Sequence, residues 1–127
     1  MLILDTTILI ALEREHTAVR NRLLALQQED PADPAITTAV MGEFLAGAAE
    51  GKERQARAFV EPYTLIPFDR RSALFFGAVS ATLRKQGASI PSMDLVTASC
   101  ALAAGGTVVT ADRHFARIPG LRTIIVE

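Results

Sequence analysis

The sequence predicts an α/β protein, one domain with a central, mostly parallel sheet of about five short strands flanked by helices. Short, continuous apolar runs such as Leu2-Ile3-Leu4 alternate with longer segments of helical periodicity, the pattern of strands covered on both faces. Half the residues are hydrophobic while aromatics make up 6% and Trp is absent, so the core is built from Ala, Leu, Ile and Val on tightly packed elements. A chain of 127 residues holds one genuine core and is too short for two conventional domains, so residues 1–127 read as a single unit.

The first strand covers Leu2 to Asp5 and is followed by a helix over about Thr7 to Glu13. A second helix, about His16 to Gln28, places Val19, Leu23 and Leu26 on one face. The polar, proline-broken segment Glu29 to Pro34 leads to a short strand at Ala35 to Thr37. Val40, Met41, Phe44, Leu45 and Ala48 form a helical stripe, Gly51 interrupts it, and Lys52 to Val60 reads as a further helix. A strand at Tyr63 to Pro67 precedes Asp69, a favoured N-cap for a long helix over Arg70 to Gln86 that Gly87 ends. Met93 to Ala104 is apolar nearly all round, as expected of a helix buried against a sheet. Gly105-Gly106 stops it, Thr107 to Thr110 is a strand, and a turn carries Asp112 to Phe115. Pro119-Gly120 then turns the chain into a last strand, Arg122 to Val126.

A single cysteine, Cys100, excludes an intramolecular disulfide and reads as a small buried side chain in a reducing compartment. The N-terminus has no basic region before its apolar run, which argues against a signal peptide. The uncharged stretch from Leu95 to Ala111 is divided by Gly105-Gly106 and falls short of the roughly 20 residues a spanning helix needs. A cytoplasmic protein without a membrane segment is expected.

In open parallel sheets, ligands bind in the crevice outside the carboxyl ends of the strands. Asp5 and Asp112 fall at such ends, Asp94 begins the buried helix that runs toward the strand before Asp112, and Glu43 lies one turn into the helix after the second strand. Each acid has a plain account of its own. Asp5 and Asp112 suit helix capping, Asp94 suits the dipole of a first turn, and Glu43 faces away from its apolar stripe like a solvated glutamate. As a cluster, however, four carboxylates repel one another unless a cation compensates. Oxygen-only ligands point to Mg²⁺ or Mn²⁺, and the lack of His or Cys among the four disfavours zinc.

Several segments carry a resemblance when taken in order. They are Met1-Leu2-Ile3-Leu4-Asp5-Thr6-Thr7, Thr38-Ala39-Val40-Met41-Gly42-Glu43-Phe44, Ile90-Pro91-Ser92-Met93-Asp94, and Val108 to Phe115 followed by Ile118-Pro119-Gly120-Leu121. In these the chain resembles a PIN-domain ribonuclease, specifically a VapC-type toxin of a type II toxin–antitoxin pair, over essentially its whole length. The resemblance implies a PIN-like domain in which Asp5, Glu43, Asp94 and Asp112 are catalytic and Asp5 and Asp94 are the most consistent metal ligands. It assigns Thr7 and Thr110 to positions that orient water or an outer-shell ligand. It also implies an RNA substrate, a homodimer held through helices, and a cognate VapB-type antitoxin whose tail lies over the active cleft. Many relatives carry Asn at or near position 112, so the direct metal contact of Asp112 stays open.

The chemistry expected of such a site is phosphodiester hydrolysis by a metal-activated water. With 13 basic and 14 acidic residues the chain does not advertise a nucleic-acid partner, yet setting the four acids aside as ligands leaves a positive remainder. Arg113, His114 and Arg117 are the candidates for RNA contact, with Arg14 and His16 outside possibilities; a solvated surface accounts for them equally well. Two rivals remain. A phosphatase or phosphoacceptor α/β domain would also carry an Asp after the first strand, but Asp5-Thr6-Thr7 lacks the second acid of a D-x-D arrangement. A catalytically inactive PIN-like interaction module has the intact quartet against it.

Overall fold

A computed structural model of the chain describes residues 1–126; Glu127, the last residue of the predicted domain, lies outside them. The elements follow one another as β1 (Leu2–Leu4), α1 (Thr6–Glu13), α2 (Thr17–Glu29), β2 (Ala35–Thr37), α3 (Thr38–Ala46), α4 (Glu53–Val60), β3 (Thr64–Ile66), α5 (Arg70–Lys85), α6 (Ser92–Ala104), β4 (Thr107–Thr110), a 3₁₀ helix (Arg113–Arg117) and β5 (Arg122–Ile125). All five strands are parallel, in the order β3-β2-β1-β4-β5.

Strand periodicity divides the core in two. Leu2 and Leu4 of β1, Ile36 of β2 and Val109 of β4 join the layer packed under α1, α2, α3 and α4. Ile3, Ala35 and Val108, one residue out of phase, face α5, α6 and the 3₁₀ helix on the other side. Strands β1 and β2 are therefore buried at every position, and β1 accordingly reads as an unbroken apolar run. The edge strand β3 is mostly exposed.

Element ends shift by a residue or two from the sequence expectation, for identifiable reasons. Asp5 leaves β1 to become the N-cap of α1. His16 does not open α2 but caps it, its Nδ1 accepting the Val19 N–H at 3.3 Å. Asp69 caps α5 as expected, accepting from the Ser72 N–H and hydroxyl at 2.9 and 2.8 Å. The turn after Asp112 is a 3₁₀ helix, pinned by the buried Phe115.

The α6–β4 junction uses its two glycines differently. Gly105 is left-handed at φ 68° and ends α6, and the Gly106 N–H then reaches back to the Ala101 carbonyl at 3.0 Å. Gly106 is needed for its missing side chain, because a Cβ there would sit 2.5 Å from Ile3 Cδ1 and 3.2 Å from the Met1 carbonyl. Gly106→Ala should therefore cost about 1–3 kcal/mol by pushing Ile3 out of the core. Urea unfolding of the variant against the parent measures that loss; an unchanged midpoint would mean the contact relaxes freely.

Candidate metal centre

The chain runs from β1 outward to β2 and β3 and returns to the other side of β1 as β4, so the winding direction reverses between β1 and β4. Loops leaving the carboxyl ends of two such strands diverge and leave a crevice. Leu4 is paired with Val109, so the next residues, Asp5 and Thr110, come side by side at its floor.

Asp5 is buried and held from three directions. Its backbone N–H donates to the Val109 carbonyl at 3.1 Å, which extends the β1–β4 ladder by one bond. Its Oδ1 accepts the Thr7 N–H and, at 2.9 Å, the Thr7 hydroxyl, while Oδ2 accepts the Thr110 hydroxyl. Both threonines are gripped in turn: Thr7 Oγ1 accepts the Ala111 N–H at 3.0 Å and Thr110 Oγ1 the Asp112 N–H at 2.9 Å. Thr7 and Thr110 thus stand directly behind the Asp5 carboxylate.

The other acids arrive from separate elements. Asp94 lies in the first turn of α6 and Asp112 is the N-cap of the 3₁₀ helix, where Oδ1 accepts the His114 N–H at 3.0 Å. Glu43, half-buried on α3, accepts the Thr6 hydroxyl at 2.9 Å. A fully buried pair, Thr37 Oγ1 and Thr97 Oγ1 at 2.9 Å, ties the N-cap of α3 to α6 and so fixes the helices bearing Glu43 and Asp94 to each other.

The charges of the four acids bear on one another at Asp94. Burial raises the Asp94 carboxyl above its ordinary value, a hydrogen bond from His114 opposes this, and the charges of Asp5, Asp112 and Glu43 raise it further. Asp5 is likewise raised, first by burial, against the opposing bonds from Thr110 and Thr7, with Asp112 adding repulsion. A cluster of carboxylates pushed upward in this way fits a divalent cation, the ordinary compensation for crowded negative charge. Ligand atoms of Asp94, Asp112 and His114 all lie within 4.8 Å of one another. Asp5 is outside that tightest group but within electrostatic reach of it.

Of the three RNA-contact candidates, His114 is the one that stands beside the acids. Its Nδ1 lies 3.0 Å from Asp112 Oδ1 and 3.5 Å from Asp94 Oδ2, so the ring faces the acids. Arg113 and Arg117 are exposed on the same 3₁₀ helix. Beside Glu43 a cleft of about 500 Å³ opens between α1, α3 and α4, lined by Ile10, Phe44 and Ala48 with Arg14 and Lys52; the other three acids do not line it. Sequence reasoning missed Thr6, the Thr37–Thr97 pair and the aim of His114. Only the first and last had a signal, their nearness in the chain to Asp5 and Asp112.

Residues 2–121 match the model of the PIN domain. The chain belongs to the PIN-domain family. Within that family it is of the VapC type: it is 31% identical to the Ribonuclease VapC of Rickettsia bellii over 98% of this chain and 96% of that one, and 29% identical to Ribonuclease VapC1 of Rickettsia felis over 99% and 96%. Among solved structures it is similar to VapBC2 from Rickettsia felis bound to a promoter DNA fragment, with a TM-score of 0.85 and 26% identity, covering 99% of this chain and 98% of that one. DNA-bound VapBC from Salmonella typhimurium shares the fold at a TM-score of 0.82 and 23% identity, over 99% and 98%.

The raised Asp94 carboxyl has a measurable sign. Between the ordinary value of 3.8 and its higher folded value, the folded protein holds the proton more tightly than the unfolded chain, so stability falls as pH rises through that window. In EDTA, Asp94→Asn should therefore be the more stable protein at about pH 7, and its advantage should shrink toward about pH 4. Thermal unfolding across that range tests this; an advantage that does not change with pH would contradict it.

Proposed function

We propose that the protein is a metal-dependent endoribonuclease acting in the cytoplasm as the toxin of a toxin–antitoxin pair, with Asp5, Glu43, Asp94 and Asp112 as its active site and Mg²⁺ or Mn²⁺ as its cofactor. The observation that carries this reading is the convergence of the four carboxylates at the switch point of a PIN domain. When bound, a divalent cation supplies Lewis acidity toward the phosphate and a water nucleophile at neutral pH.

The remaining work falls to the chain. Asp5 and Asp94 would hold the ion, with Asp112 beside Asp94; Thr7 and Thr110 fix the Asp5 carboxylate at the crevice floor without rotamer freedom. Glu43 or Asp112 would act as the base toward the attacking water, both standing close enough to Asp94 for their charges to bear on it. Arg113 and Arg117, exposed beside Asp112, contact the RNA phosphates. The apolar-walled cleft beside Glu43 suits a segment of the antitoxin, in keeping with the VapBC assemblies named for the similar structures. A homodimer is the assembly that the family resemblance implies, and the exposed Leu24, Leu65, Phe68, Leu74 and Met93 are the apolar side chains available to one.

The deciding experiment is cleavage of a mixed RNA pool with Mg²⁺ or Mn²⁺, with EDTA, and with Asp5→Asn or Asp94→Asn. Cleavage should require the metal and be abolished in both variants. Full activity in EDTA or in both variants would refute the metal-nuclease reading, and activity on phosphomonoesters alone would favour a phosphatase.

A second measurement tests the support of Asp5. Thr110→Val removes the hydroxyl that serves both Asp5 and the Asp112 N–H, and should lower cleavage about 10–100-fold. Thr110→Ser, which keeps the hydroxyl, should remain close to the parent. Equal activity in the two variants would mean that the hydroxyl does not matter.

A further inference from the structure

None of the roles under the proposed function uses the imidazole of His114, although its ring stands beside two of the acids. The ring nitrogen Nδ1 lies 3.0 Å from Asp112 Oδ1 and 3.5 Å from Asp94 Oδ2, two carboxylates delivered by different elements. Adjacent ligand atoms on an octahedral ion at about 2.1 Å are separated by about 3.0 Å. The shorter separation matches neighbouring donors on one ion, and all three residues offer ligand atoms within 4.8 Å of one another. The residue is also anchored: its N–H is bonded to Asp112 Oδ1, and Phe115, the next residue, is buried in the core.

A nitrogen donor bears on the choice of ion. Mg²⁺ prefers oxygen and keeps its waters, whereas Mn²⁺ shares its liking for carboxylates but, as a transition-metal ion, accepts a nitrogen donor more readily. Resting on the metal-centre reading above, we infer that His114 Nδ1 ligates the same ion as Asp94 and Asp112 and biases the site toward Mn²⁺ over Mg²⁺. An all-oxygen quartet gives no such preference. The opposing account is that the ring only satisfies the carboxylates while the site lacks its ion, in which case its removal would help the metal to bind.

The test uses the full chain, stripped of metal, as parent and as His114→Ala, His114→Asn and Asp94→Asn. Mn²⁺ and Mg²⁺ affinities are measured by calorimetry, and pulsed electron paramagnetic resonance reads nitrogen coupling to bound Mn²⁺. His114 is partly exposed, so circular dichroism should show its variants folded. The parent should show coupling from a ligating imidazole nitrogen. Both His114 variants should lose it and bind Mn²⁺ at least about tenfold more weakly, with a smaller change for Mg²⁺. No nitrogen coupling in the parent, or Mn²⁺ bound by His114→Ala as tightly as by the parent or more tightly, would overturn the inference. If that happens while Asp94→Asn abolishes binding, the metal centre stands and only the role of His114 falls. A parent that binds neither ion would remove the centre itself.

Discussion

The register between β1 and β4 governs both the core and the site. With Leu4 opposite Val109, alternate residues of the two strands enter opposite core layers and Asp5 falls beside Thr110. A slip of one residue would send Ile3 into the wrong layer and break the bond from Thr110 to Asp5 in the same step. The register is fixed at both ends. At the entry, Gly106 lets β4 approach Ile3 closely and the Thr107 N–H bonds the Met1 carbonyl at 2.9 Å; at the exit, the Asp5 N–H bonds Val109. Fold stability and site geometry are therefore two outcomes of one pairing.

What this pairing brings together is unfavourable by itself. Carboxylates partly removed from water and near one another each raise the cost of ionising the next. The donors that meet Asp5 are a backbone N–H and two threonine hydroxyls, all neutral. Neutral donors orient the carboxylate and ease its desolvation without cancelling its charge, so the crevice keeps a negative potential available to a cation. The same reasoning explains why the helices bearing Glu43 and Asp94 are joined by the uncharged Thr37–Thr97 bond.

Much of this was legible in the chain because it depends on local pattern. An unbroken apolar run marked the buried β1, Asp69 marked the start of α5, and the four acids stood out at strand–helix junctions. What was not legible depends on contacts between distant segments. Thr6 meets Glu43 across 37 residues of sequence, so its place beside Asp5 does not show its partner; Thr37 meets Thr97 across 60, and nothing local marks either of that pair. His114 was assigned to the RNA side with Arg113 and Arg117 because all three are adjacent in sequence. A 3₁₀ helix repeats about every three residues, so neighbours point in different directions, and the cap at Asp112 turns position 114 back toward the acids.

Capping and metal ligation were weighed on the sequence as rival accounts of Asp5 and Asp112, and the structure shows why they need not compete. A carboxylate has about four lone-pair positions. On Asp5, Oδ1 accepts two hydrogen bonds and Oδ2 accepts one, so the cap occupies one oxygen and leaves the other with acceptor capacity. On Asp112 the cap uses one lone pair of Oδ1, the oxygen that also faces His114 Nδ1, and leaves the remaining positions available. Capping fixes the side-chain torsions, and this decides which lone pairs face the crevice. A free carboxylate would lose rotamer entropy on meeting an ion, whereas a capped one has already lost it in folding. The two residues that looked most ordinary as helix caps are therefore the ones best preorganised to present a charge at the switch point.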